Sequence, residues 1–86
     1  MVILITSKDA YTEMKDKISN GQHPVWLSNG ILSQEEINSL WEKDVDLSVF
    51  NYQLDTNDTE SLDCALDTIK EHYPGQNIWV QYENKI

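Results

Sequence analysis

Eighty-six residues set the scale of one small domain, and fifteen Asp and Glu against six lysines and no arginine leave a formal net charge of −9. Hydrophobic residues make up 40%, with three Trp, four Tyr and one Phe, which is enough for one packed core and too much for a disordered acidic chain. Excluded at once are a membrane span, which needs roughly 20 consecutive apolar residues, and a disulfide framework or cysteine-rich zinc site, because Cys64 stands alone.

The first apolar run, Val2-Ile3-Leu4-Ile5, is β-branched and continuous, the pattern of a central strand buried on both faces. No basic stretch precedes it and it is short, so no signal peptide is expected and the cytoplasm is the default compartment. Ser7 and Asp9 then open a helix whose Tyr11, Met14 and Ile18 fall on one face, and Asn20-Gly21 stops it. Pro24-Val25-Trp26-Leu27 reads as a short second strand, its leading proline suited to a strand's first residue or to a sheet edge. After the Ser28-Asn29-Gly30 turn, Ser33-Gln34-Glu35-Glu36 forms a capping box. Leu32 and Ile37 sit at its staple positions, and Ile37, Leu40 and Trp41 form the buried stripe of a short helix ending near Lys43-Asp44.

Leu47 to Leu54 is expected as a third strand, either buried on both faces around Val49-Phe50 or carrying a bulge there. The polar stretch Asp55 to Thr59 leads into a helix with Leu62, Ala65, Leu66, Ile69 and Tyr73 on one face, closed by Pro74-Gly75. Ile78 to Tyr82 is the last strand, before a frayed Lys85-Ile86 end. The order β-α-β-α-β-α-β predicts an α/β domain with a small four-stranded, mostly parallel sheet and three helices. The expected strand order is 2-1-3-4, with the first strand central and the Pro-led second strand at an edge. An α+β sandwich with one antiparallel edge strand is the alternative.

Chemistry-bearing patterns are sparse. Three glycines, none in a G-x-G pattern, provide no phosphate loop, and no cofactor is expected. The helical wheel places Cys64 among Glu60, Asp67 and Glu71, whose charges oppose thiolate formation. His72 is explained by its place near a helix C-terminus, and neither it nor His23 has a metal-type partner at helical spacing. Residues 55–60 start like a calcium loop but carry Glu60 where glycine is required and Leu66 where the bidentate glutamate belongs. Glu35 and Glu36 are accounted for by the first turn of their helix. No catalytic residues and no metal site are expected, and the balance leans away from an enzyme.

Charge is the informative feature. Residues 34–71 hold eleven acids and two lysines, so the whole excess of −9 lies there, while the segments before and after sum to zero. On the third helix Glu60, Asp63, Asp67 and Glu71 fall within about 80° of the wheel, with Asp63, Asp67 and Glu71 at the i, i+4 spacing where like charges repel. The leading expectation is a non-enzymatic interaction module of immunity or inhibitor type that presents this acidic ridge to a basic protein. With no arginine, six scattered lysines and a net negative charge, it is not expected to bind nucleic acid or membranes. The second expectation is a small-molecule site or minimal enzyme at the carboxyl ends of the strands, around Ser7, Asn29 and Asp55, where open parallel sheets bind ligands. A monomer or weak homodimer is expected, because Trp79 faces away from Ile78 and Val80 and needs cover from a helix or a second copy.

Overall fold

The computed structural model describes residues 1–54 and 58–80. Seven elements alternate along the chain: β1 (Val2–Ile5), α1 (Lys8–Ser19), β2 (Val25–Leu27), α2 (Gln34–Glu42), β3 (Leu47–Val49), α3 (Thr59–His72) and β4 (Ile78–Val80). Every strand pairing is parallel, so no antiparallel edge strand is present among the described residues. The last strand was expected to run to Tyr82; Gln81 and Tyr82, like the Lys85-Ile86 end, lie outside the described residues.

Strand order is β3-β2-β1-β4, which corrects the expected 2-1-3-4. β1 is interior as expected, and its four side chains are wholly buried. β2 is interior too. Its proline costs no rung of the ladder, because Pro24 stands one residue before the strand and contributes only its carbonyl, which accepts from the Ile3 N–H at 2.9 Å. The edge falls instead to β3, whose Val49 stays exposed.

The period-2 alternation of the strands divides the core between the two faces of the sheet. Ile3, Ile5, Val25, Leu27 and Leu47 face α1 and α2, packing on Ala10, Tyr11, Met14, Ile18, Ile37 and Leu40. Val2, Leu4 and Trp26 face α3 and pack on Leu62, Ala65 and Ile69. The chain steps outward from β1 to β2 to β3 and then returns across β1 to β4. Crossovers of one handedness therefore put α1 and α2 on one face and α3 on the other. Each fully buried Ile, Leu or Val contributes about 1.5–3 kcal/mol relative to exposure, and eight such side chains lie almost entirely within β1, β2 and the helices on either side.

The helix ends follow the sequence signals. Ser7 Oγ accepts from the Ala10 N–H at 3.1 Å, and Ser33 and Glu36 make the full capping box. Trp41 is the exception in α2. It was expected in the buried stripe, yet it is 48% exposed while Ile37 and Leu40 are buried. It lies at the flank of that stripe on the wheel, and there its indole overhangs the edge of the sheet, donating Nε1–H to the Leu47 carbonyl at 3.1 Å.

The segment after β3 departs from expectation most. It neither continues as a strand nor bulges; β3 stops at Val49, and residues 50–54 fold over the carboxyl end of β2. The Phe50 N–H still reaches the Leu27 carbonyl at 2.8 Å, after which Asn29 N–H donates to the Tyr52 carbonyl at 3.1 Å and Leu54 N–H to Ser28 Oγ at 2.8 Å. Gly30 is required beneath this flap: its φ is +84°, and a Cβ there would come within 3.3 Å of Gln53 Nε2.

Candidate functional site

Two places compete, the carboxyl ends of the strands and the outward face of α3. At the strand ends, Ser7 spends its hydroxyl on capping α1. Asn29 is exposed, and its backbone N–H is held by Tyr52. Asp55, together with Thr56 and Asn57, lies outside the described residues. Ser28, read from the sequence only as part of a turn, is the one buried polar side chain among the described residues and ties the 50–54 flap to β2. The β2 end is thus closed by the chain's own backbone.

Next to it the N-termini of α1 and α2 converge. Lys8 Nζ lies 3.5 Å from Glu36 Oε1, which also accepts from the Ser33 N–H at 3.3 Å. The Ser33 backbone donor is the main cause that holds the Glu36 carboxyl below its ordinary pKa; desolvation opposes it, and Lys8 and the Ser33 hydroxyl assist. Tyr11 is pushed upward by burial first and by the Glu36 charge second. These shifts follow from helix capping and packing and require no ligand.

On α3 the buried stripe of Leu62, Ala65 and Ile69 fixes the rotation of the helix, with Asp58 accepting from the Ser61 N–H at its start. Glu60, Asp63, Asp67 and Glu71 consequently point outward, and all four are exposed, as is Cys64 among them. None of the four carboxylates makes a hydrogen bond or ion pair with another described residue; the Lys8–Glu36 salt bridge lies on the far side of the sheet. No group of three or more His, Cys, Asp or Glu among the described residues could hold a metal ion. His72 instead lies against Trp26, ring centroids 5.4 Å apart.

Among the described residues, two open clefts are lined by residues other than Ser7, Asn29 and the ridge carboxylates. One, of about 320 Å³, runs between α3 and β4 over Leu66, Ile78 and Val80, with Lys70, Gln76 and Asn77 at its rim. The other separates α1 from α2 between Lys15 and Lys43. Trp79 packs against the core of the α1/α2 face and is half-buried there. No helix among the described residues is long and apolar enough to cross a membrane. No protein-family model matches the chain, and neither a curated protein nor a solved structure matches it.

Proposed function

We propose that the protein is a non-enzymatic, cytoplasmic interaction module whose α3 presents Glu60, Asp63, Asp67 and Glu71 to a basic protein surface. The observation that carries this reading is the unspent charge: four exposed carboxylates share one helix face without a described hydrogen bond or ion pair. Held together they repel one another in the free protein. Lysines or arginines of a partner would relieve that repulsion, steer the encounter and discriminate against acidic surfaces.

The test is affinity capture at low and high salt with the wild type and the doubly substituted Asp63→Lys, Asp67→Lys protein, both verified as folded by circular dichroism. A basic protein retained at low salt, released by high salt and absent from the variant is the expected result. A partner retained equally by the variant, or no retained protein, sinks the proposal.

A further inference from the structure

Three large apolar side chains are exposed among the described residues, Trp41 at 48%, Val49 at 37% and Tyr52 at 38%: Trp41 overhangs the β3 edge, Val49 lies in it, and Tyr52 follows three residues on, in the flap. Scattered exposed hydrophobics need no explanation, but their concentration around one sheet edge does. The backbone there is open as well. Asp46 C=O and Phe50 N–H bond to β2, so by alternation Leu47 and Val49 aim their N–H and C=O groups away from the sheet. The Trp41 indole occupies the Leu47 carbonyl, which leaves Val49 as the residue whose donor and acceptor both face outward.

Leu47-Ser48-Val49 carries no lysine, proline or bulge; its three-residue length and the Trp41 indole over Leu47 protect part of this edge and leave Val49 open. Just before the strand stand the exposed Glu42, Asp44 and Asp46, the last accepting from the Tyr73 hydroxyl at 2.8 Å, and Lys43 is the sole cation from Gln34 to Ile69. A second copy of this chain, paired antiparallel at Val49, would set Asp46 opposite its own uncharged Tyr52 and bring a second chain of net charge −9 beside these carboxylates without neutralising them. A basic segment would neutralise them.

We propose that the β3 edge accepts an extended, lysine- or arginine-rich segment of a partner protein as a fifth strand, paired at Val49 and flanked by Trp41 and Tyr52. In antiparallel pairing one partner residue opposite Val49 exchanges both hydrogen bonds, and its neighbours alternate between the two faces of the sheet. The indole, fixed by its bond to Leu47, offers a rigid face on which an arginine or lysine stacks. The sign of the partner's charge rests on Glu42, Asp44 and Asp46 together with the function proposed above, whereas the location at β3 rests on neither.

The test is an amide-resolved NMR titration of the full chain at low salt with the hexapeptide Lys-Val-Lys-Val-Lys-Val, and with Glu-Val-Glu-Val-Glu-Val as the charge control. Saturable shifts of the Val49 amide and the Trp41 indole are expected with the basic peptide alone. Affinity should fall about tenfold in Trp41→Ala and comparably in Val49→Pro, a substitution an edge strand accommodates and which deletes the outward donor. Shifts confined to α3 overturn the strand-addition site and leave the ridge standing. Shifts at β3 that survive Asp63→Lys with Asp67→Lys support the site and remove the ridge from it. Equal binding of both peptides overturns the basic partner, and no binding of either overturns the site.

Discussion

A single hydroxyl shows how closely this fold depends on side-chain hydrogen bonds. Ser28 is 2% exposed and accepts from the buried Leu54 N–H across 26 residues of sequence. Ser28→Ala leaves that donor without a partner, at a cost of about 1–3 kcal/mol, and the midpoint of urea unfolding should fall accordingly. A change of only a few tenths would mean that the flap relaxes to satisfy Leu54 elsewhere. Glu36 gives the residue-scale pH dependence. Its carboxyl titrates below the ordinary glutamate range because the Ser33 N–H, and after it Lys8 and the Ser33 hydroxyl, favour the ionised form. A folded-state pKa lowered in this way adds stability that is complete above the unfolded-state value and disappears as pH falls through the folded one. Glu36→Gln should therefore flatten the pH–stability curve on the acid side of the glutamate range. An unchanged acid limb would show that the capping box does not depend on ionisation.

At the scale of elements, what could be read from sequence was whatever local chemistry decides. Ser7 and Ser33 started α1 and α2, Gly21 at φ +73° ended the first, and the uninterrupted Val2–Ile5 run marked a buried strand. Strand order was not legible, since β2 and β3 are each three residues long and only long-range packing selects which lies inside. The fate of residues 50–54 was hidden for the same reason: their apolar alternation suits a strand, and it is the bonds to Ser28 and Asn29 that turn them aside. Trp41 was misplaced because nine residues of α2 give too short a stripe to define its border. The outward ridge of α3 was legible because Leu62, Ala65 and Ile69 leave one rotation of that helix. It also carries a prediction. Asp67→Lys replaces repulsion of Asp63 and Glu71 by attraction to both, so the free protein should gain a few tenths of a kcal/mol in denaturant unfolding. A loss of stability would mean that Asp67 has a favourable role in the folded state beyond its place on the ridge.

For the whole molecule the same charges set how stability answers to salt. A net charge of −9 on 86 residues opposes compaction, and carboxylates one helical turn apart lie well inside a screening length of about 10 Å at 0.1 M salt. Screening also weakens favourable pairs such as the exposed Lys8–Glu36, but fifteen acids stand against six lysines. Repulsion is therefore the larger quantity. Raising sodium chloride from about 10 mM to about 1 M, where the screening length shrinks to about 3 Å, should raise the melting temperature of the free protein by a few degrees, roughly what a gain of several tenths of a kcal/mol does in a domain of this size. Potassium chloride should do the same, because the effect depends on ionic strength and not on a bound ion. Binding of a basic partner must move the other way, with affinity falling over the same range of salt. A melting temperature indifferent to salt would mean that the acidic excess is already neutralised in the folded protein, and the ridge of α3 would then have no unspent charge to offer.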